Sequence, residues 1–400
     1  MIRVRKAALA LVAVAAVATA VVAASSASPQ QAGTVTIGWA FDGSGAMAPF
    51  DGPALATARD HVQRVNSGPG VNLRIVTCNT QGNKPAVAKS CAARLLDQGA
   101  DVIFTTCDVD FAAPVVQESI NAGKLTIAPC IGTDQMGPKR FGAKGRLAFS
   151  YGNVAQDEGS AMAEYAWRRG WRDAALATDT VIVYFRNVVQ AFEARWRQLG
   201  GRVVTEETYQ SLGGNPASWQ NVVTRLNGED ADVIVTSTAG AFGAQAPIVS
   251  GLRTLGNDTP ILNSWAGDGN YWYTPNPQVS NYYYVTFASA FGDDPVQAVN
   301  ALVKRNKGAI AKGGSTGGFI TGPAAIDGLL TAIRRAGGST NGARLAAQME
   351  KFRNVTTLSG KVSFSRSLHT VFGRQYRVIR VQNNVPRVVG TVKAKVVPKI

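Results

Sequence analysis

The sequence has few of the side chains that most often carry catalysis or bind metals. It contains two histidines, His61 and His369, and four cysteines in 400 residues. The histidines are remote in sequence from the cysteines, so the spacing of a zinc site is absent. Phosphate-binding loops and dinucleotide fingerprints are also missing. We therefore expect no metal, no cofactor and no enzymatic activity.

Acidic residues are scarce relative to basic ones. The chain has 26 Asp and Glu against 41 Lys and Arg, a formal net charge of +15, and its last forty residues hold nine Lys or Arg and no acid. A basic chain can bind nucleic acid, but a helix-turn-helix pattern and an aromatic–basic RNA motif are absent. We therefore predict no nucleic-acid partner and a solvated basic surface suited to an anionic cell envelope.

Long hydrophobic runs are confined to the amino terminus. Three cations precede an uncharged stretch, residues 7–24, and small residues follow as far as Ala27. This order is typical of a secretion signal. We predict a signal peptide over residues 1–27 and export to the periplasm or to the outer face of the cytoplasmic membrane. The apolar stretch could almost span a bilayer, so an uncleaved anchor is the alternative.

The rest of the chain alternates short β-rich runs with helical patterns, and its length suggests about two domains. Residues 99–142 contain two predicted strands with a helix between them, which makes a parallel βαβ unit. Ligands of open α/β sheets bind at the carboxyl ends of the strands. The loops Cys107–Asp110 and Cys130–Asp134 are therefore the first predicted binding edge. Upstream, Pro53 is predicted to open the helix that ends at Asn66.

After residue 153 the β-α order starts again, so the second half repeats the architecture of the first. The most specific segments are TIGWAFDGSGAMAPFDG, TCNTQGNKPAVAKSCAARLLDQGADVI, the stretch 99–142 and ITGPAAIDGLLTAIRRAG. With these segments in this order, residues 34–390 resemble the type I periplasmic binding proteins of the leucine/isoleucine/valine and amide branch.

The resemblance implies two doubly wound parallel-sheet α/β lobes joined by a three-strand hinge. The first lobe would comprise residues 34–152 and 290–358, and the second residues 153–289 and 359–400. It also implies a monomeric solute-binding protein, without enzymatic activity, that closes over a small organic ligand and delivers it to the permease of an ABC importer. A ligand-sensing component of a signalling receptor is the alternative on the same fold.

The four cysteines allow three disulfide pairings in an exported protein. Cys78 ends a predicted strand and Cys91 lies in the helix that follows, while Cys107 and Cys130 end strands that should be neighbours. We therefore favour Cys78 with Cys91 and Cys107 with Cys130.

The predicted ligand site draws on loops of both lobes. In the first loop, Ser44 and its backbone NH groups could hold a ligand carboxylate, although Gly43–Gly45 could equally be a flexible turn. By resemblance, Phe50 lies over the ligand, the Thr133 hydroxyl meets it and Tyr184 covers it. Trp265 stands where amino-acid binders of the family supply a carboxylate for the ligand ammonium, and only Asp268 could substitute nearby. The full predicted set is Ser44, Phe50, Asp108, Asp110, Cys130, Gly132, Thr133, Tyr184, Trp265 and Asp268.

These residues predict a ligand that is a carboxylate or an amide with a flat or apolar body rather than a zwitterionic α-amino acid. A hydrolase that uses Ser315, or Asp108 with Asp110, is the alternative from another functional class. Residues 313–317 formally match the G-x-S-x-G nucleophile elbow, but they lie between two helical stretches rather than between a strand and a helix. We therefore interpret that match as coincidental.

Overall fold

The computed structural model describes residues 33–400. The predicted signal peptide, residues 1–27, lies outside the described residues. Within them, every helix is too short or too polar to cross a membrane.

Two large sheets organise the fold, one in each lobe. The first is parallel throughout, with strand order β13-β5-β4-β3-β1-β2, and the second has the order β15-β14-β10-β9-β8-β6-β7 with β14 and β15 antiparallel. A small hairpin, β11-β12, stands apart. The strands are β1 (Val35–Phe41), β2 (Leu73–Asn79), β3 (Val102–Phe104), β4 (Leu125–Ala128), β5 (Ala148–Asn153), β6 (Asp173–Asp179), β7 (Arg202–Tyr209), β8 (Val233–Ser237), β9 (Ile261–Asn263), β10 (Tyr282–Thr286), β11 (Val355–Thr357), β12 (Gly360–Val362), β13 (Thr370–Val371), β14 (Tyr376–Gln382) and β15 (Val385–Val392).

Helices cover both faces of each sheet, so the inner strands are buried on both sides, as parallel sheets require. The predicted fold class, two doubly wound α/β lobes, is confirmed. The helices are α1 (Ala48–Asn66), α2 (Pro85–Asp97), α3 (Val109–Asn121), α4 (Pro138–Phe141), α5 (Ala155–Arg168), α6 (Val183–Gln198), α7 (Pro216–Asn227), α8 (Gln245–Thr254), α9 (Gln297–Arg305), α10 (Lys307–Lys312), α11 (Thr321–Arg335) and α12 (Gly342–Met349).

The chain passes between the lobes three times. The first two passages follow β5 and β10, close to the predicted boundaries. The third comes later than the predicted break between residues 358 and 359, because β13 pairs with β5 of the first sheet and β14 pairs with β10 of the second. Residues 359–371 therefore stay with the first lobe. A strand of only two residues has no alternation that the sequence could reveal.

Two buried arginines tie the three passages together. The Arg374 guanidinium, on the third passage, donates to the Tyr151 carbonyl at 2.8 Å and lies 4.6 Å from the centroid of the Phe287 ring. Tyr151 belongs to the first passage and Phe287 to the second. Arg377 forms a bidentate ion pair with Asp294, at 2.9 and 3.0 Å, which joins β14 to the second passage.

Helix α1 begins at Ala48, five residues before the predicted start at Pro53. A proline within a helix has no NH to donate to the carbonyl four residues earlier. That carbonyl, of Pro49, instead accepts a hydrogen bond from the Thr316 hydroxyl at 2.6 Å. The segment 313–317 thus has a structural role, because it compensates for Pro53 and holds the amino-terminal turns of α1 at the cleft.

Candidate functional site

The carboxyl ends of the parallel strands in the two sheets face each other across a cleft. In the structure the lobes are closed, and the cleft retains a void of about 20 Å³. Such a void has room for about one water molecule, so a larger ligand enters only if the lobes part. Both lobes contribute to its lining, which comprises Met47, Phe50, Cys107, Asp108, Ile182, Tyr184, Phe185, Ala239, Phe242, Trp265 and Ala266.

Aromatic rings from the two lobes form the walls of the cleft. Phe50 of the first lobe lies 5.1 Å from Trp265 of the second, measured between ring centroids, and Trp265 in turn stacks on Phe287 at 4.9 Å. Phe111 and Phe242 meet across the cleft at 6.2 Å. Phe50 and Trp265 are buried, as is Tyr184. These walls suit a flat or aliphatic body through area burial and stacking.

Tyr184 closes one side of the cleft. Its ring lies against Gly132 of the first lobe so closely that a Cβ on Gly132 would come within 2.5 Å of Tyr184 Cε2. Its hydroxyl donates to Glu158 at 3.0 Å. The predicted residues Tyr184 and Gly132 are thus in contact across the lobes, and glycine is the residue that permits this approach.

The buried carboxyl groups in or next to the cleft include Asp108, Glu158 and Asp268. Burial raises the pKa of Asp108 to about 7, with Asp110 adding to the shift. Burial likewise raises the pKa of Glu158 to about 8, although hydrogen bonds from the Trp265 backbone NH and from the Tyr184 hydroxyl oppose the shift. No lysine or arginine lines the void in the part of the chain that the structure describes.

Asp268 connects the lobes. One of its carboxylate oxygens, Oδ2, accepts from the Gly317 NH of the first lobe and from the Thr286 hydroxyl at 3.2 Å. The other, Oδ1, is buried without a hydrogen-bond partner within residues 33–400, as is the Trp265 indole NH. Burial raises the pKa of Asp268 to about 8, and nearby Glu158 also contributes. A Cβ added to Gly317 would lie 2.8 Å from Asp268 Oδ2 and 3.1 Å from Trp265 Nε1, so these two polar groups are close to each other beside Gly317.

Ser44 does not line the cleft. Its side chain is exposed, and its NH donates to Asp42 Oδ1 at 3.1 Å. The same oxygen accepts from the Gly45 and Gly82 NH groups, at 2.8 and 3.0 Å. The NH groups expected to hold a ligand carboxylate are therefore already occupied by Asp42, which ties this loop to the one after β2.

Thr133 is also away from the lining. It is buried in the first lobe, where its carbonyl accepts from the Thr370 hydroxyl at 2.6 Å and its own hydroxyl accepts from the Gln135 NH. Asp110 lies at the rim, where it accepts from the Val183 NH of the second lobe at 3.1 Å and pairs with Arg140. Helix α6 has no capping side chain at its own amino terminus, and Asp110 of the first lobe takes that role.

Both predicted disulfides are confirmed. Cys78 is bonded to Cys91 and Cys107 to Cys130, with Cα–Cα distances of 5.5 and 4.8 Å. The second bridge joins the loops after β3 and β4, and Cys107 lines the void. Asp51 supports this loop from α1, because it accepts from the Cys107 NH at 3.0 Å.

Sequence reasoning missed Glu158. An acidic residue in the first turn of a helix usually complements the helix dipole at the surface. Glu158 is instead buried and accepts from the Trp265 NH at 2.6 Å. The available signal was the dipeptide Asp157–Glu158 immediately after a predicted passage between lobes.

We expect Glu158 to make stability depend on pH. Its pKa rises from an ordinary 4.5 to about 8 on folding, so the folded state holds more protons between these values and stability falls as pH rises through this window. A Glu158→Gln variant should lose less stability across the same window, as measured by urea denaturation. An equal or steeper fall in the variant would refute the assignment.

The hydrolase alternative based on Ser315 would need a histidine as its general base. Ser315 has no histidine partner: His61 pairs with Asp327 at 2.7 Å, and the His369 ring stacks on Phe149. Within residues 33–400 no cluster of His, Cys, Asp or Glu could hold a metal ion.

Comparisons with known proteins agree with this architecture. A family model described as periplasmic binding protein matches residues 34–386. A comparison with curated proteins gave no match. The chain is similar in structure to the branched-chain amino acid transporter substrate-binding protein LivJ from Streptococcus pneumoniae in complex with isoleucine, with a TM-score of 0.75, 19% identity, and 90% of this chain and 99% of that chain covered.

Two further solved structures are similar. The leucine-binding protein LivK from Thermotoga maritima has a TM-score of 0.73 and 18% identity, with 90% of this chain and 98% of that chain covered. A solute-binding protein of an ABC transporter from R. palustris, in complex with benzoate, has a TM-score of 0.72 and 16% identity, with 92% and 98% covered. At these identities the likeness concerns the fold.

Proposed function

Because this chain belongs to the periplasmic binding protein family, we propose that it captures a small amide with an apolar or aromatic body between its lobes. It then delivers the ligand to the permease of an ABC importer. It acts outside the cytoplasm, as its family does, and as a monomer. The observation that carries the proposal is the meeting of Phe50 with Trp265 beside buried carboxyl groups of both lobes.

The head group follows from the polar atoms available. A free carboxylate is best bound by a cation or by several NH groups, but no Lys or Arg among the described residues lines the void, Asp42 occupies the NH groups near Ser44, and the Trp265 indole NH supplies only one hydrogen bond. An amide offers one acceptor and up to two donors. Trp265 Nε1 can donate to the amide oxygen, while Asp108 and Asp268 can accept from its NH group.

The two unpartnered atoms also favour this head group energetically. A buried polar atom without a partner costs about 1–3 kcal/mol. A ligand that donates to Asp268 Oδ1 and accepts from the Trp265 indole NH removes that cost. A carboxylate only accepts hydrogen bonds at neutral pH, so it could pair with Asp268 only while Asp268 is protonated, and the two groups would repel each other once Asp268 ionises above a pKa of about 8.

A thermal-shift screen tests the proposal. The panel pairs benzamide with benzoate and leucinamide with leucine, so that each pair differs only in the head group. We expect the amides to raise the melting temperature, since a ligand at 100 times its Kd stabilises by about 2.7 kcal/mol. Mass spectrometry should recover the amide unchanged after incubation. Binding of the acids alone, or turnover of the amide, would overturn the proposal.

A substitution at Trp265 locates the contact. Trp265→Phe keeps a ring in the wall but removes the indole NH, so amide affinity should fall roughly threefold to tenfold, the usual worth of one neutral hydrogen bond. Trp272→Phe is the matched control, because Trp272 Nε1 is also buried and unpartnered but lies outside the void lining.

A further inference from the structure

One flank of the second lobe is unusually apolar for a solvent-facing surface. We define the basic flank as strand β15 together with the tail, residues 393–400. Eight large hydrophobic side chains are exposed in the part of the chain that the structure describes, and five of them lie on this flank. They are Val385, Val389, Val396, Val397 and Ile400, with exposures of 43–47%.

Cations separate these apolar side chains. Arg387, Lys393, Lys395 and Lys399 are all exposed, and none belongs to an ion pair within residues 33–400. The sequence offers them no acid, because residues 361–400 contain none.

The carboxylates nearest the flank are buried or engaged. Glu164 is 6% exposed, pairs with Arg195, and accepts from the Lys395 NH at 3.0 Å. Asp293 accepts from the Val388 NH at 2.9 Å and from the Ser289 hydroxyl. Asp157 is 3% exposed, and the positive charge of Lys393 opposes the rise in its pKa that burial causes. The flank therefore presents its positive charge to solvent without compensation at the surface.

Arg380 and Trp171 are partly exposed next to the flank. Arg387 pairs in register with Arg380 on β14, and Arg380 pairs with Tyr283 on β10. The Arg380 guanidinium lies 5.7 Å from the Tyr283 ring centroid, and the half-buried Trp171 lies 5.7 Å from the same ring. Tyr283 is 2% exposed and packs beneath Arg380, so the aromatic side chain that reaches the surface here is Trp171, and tryptophan is enriched at the boundary between lipid headgroups and acyl chains.

The flank is separate from the ligand site. None of its residues lines the void, and β15 is the edge strand of the second sheet. The tail runs along α5, where its Val396 carbonyl accepts from the Ser160 hydroxyl. A partner on this flank would leave the cleft uncovered.

We propose that the basic flank docks the protein on an anionic lipid bilayer. The cations are attracted to acidic headgroups, and the short aliphatic side chains between them enter the headgroup boundary. A protein partner is less well matched, because the core of a protein interface is depleted of charged residues. Here each apolar side chain has a cation as a close neighbour in sequence.

Vesicle co-sedimentation of the exported protein tests the proposal. We expect binding to phosphatidylcholine vesicles that contain phosphatidylglycerol, a loss of binding as salt increases, and little binding to phosphatidylcholine alone. Lys395→Glu with Lys399→Glu should weaken binding at least about tenfold. Val396→Ser with Val397→Ser should weaken it severalfold without changing net charge.

A matched control separates this flank from general charge. Lys304→Glu with Lys307→Glu makes the same charge change on exposed positions of the first lobe and should bind as the parent does. An equal loss in both charge variants would overturn the proposal. So would binding to soluble heparin combined with no effect of the serine substitutions, since that result would indicate a polyanion site. All variants begin at the same residue as the parent, and they should keep the parent melting temperature.

Discussion

Replacing Asp294 with alanine should lower the free energy of unfolding by about 3–5 kcal/mol, the usual cost of breaking a buried ion pair on one side. The Asp294 carboxylate is fully buried and accepts both Arg377 bonds, together with the Ser289 and Val296 NH groups at 2.8 and 2.9 Å. The substitution leaves the Arg377 guanidinium, 11% exposed, without its partner. Urea denaturation measures the change.

Asp173 provides the matched control. It forms a bidentate pair with Arg202 at 2.6 and 2.7 Å, geometry as close as that of the buried pair, but the Arg202 side chain is 70% exposed. Exposed pairs contribute little because water and salt screen them. Asp173→Ala should therefore leave the urea midpoint nearly unchanged. Similar losses in the two variants would show that burial does not control the strength of these pairs.

Removing the Cys107–Cys130 bridge should affect stability and binding together. The two bridges span 13 and 23 residues, so replacing either pair with alanine should cost about 3 kcal/mol. Only Cys107 lines the cleft and is followed by Asp108. Without its bridge the loop is less ordered before binding, so ligand affinity should fall about tenfold.

The Cys78–Cys91 variant is the control for this comparison. It should lose similar stability and bind the tightest amide of the panel within about twofold of the parent, because that bridge joins the edge strand β2 to α2 and contributes nothing to the lining. Equal binding losses in both variants, measured by calorimetry, would mean that the affinity change reflects general destabilisation.

The sequence was sufficient for features that depend on local pattern. Alternating strands and helices predict the parallel sheets, and the ends of adjacent parallel strands bring Cys107 next to Cys130. The same reasoning places Asp108 at the binding edge of the first sheet, the family resemblance places Trp265 at the ligand from the second lobe, and both residues line the void.

Features decided by contacts between distant segments could not be predicted. The Ser44 NH is bonded to Asp42, which also accepts from Gly82 of the next loop, a contact 40 residues away. Glu158 is buried because Tyr184 and Trp265, both remote in sequence, donate to it. Helix α1 tolerates Pro53 because Thr316 reaches the freed Pro49 carbonyl.

The most direct test of the account is a crystal structure of the protein with the tightest-binding amide of the panel. We expect the amide between Phe50 and Trp265, its oxygen within hydrogen-bond distance of Trp265 Nε1 and its NH group directed to Asp108 or Asp268. A ligand bound elsewhere, such as the surface groove of about 510 Å³ beside Arg59 and Lys312, would contradict it.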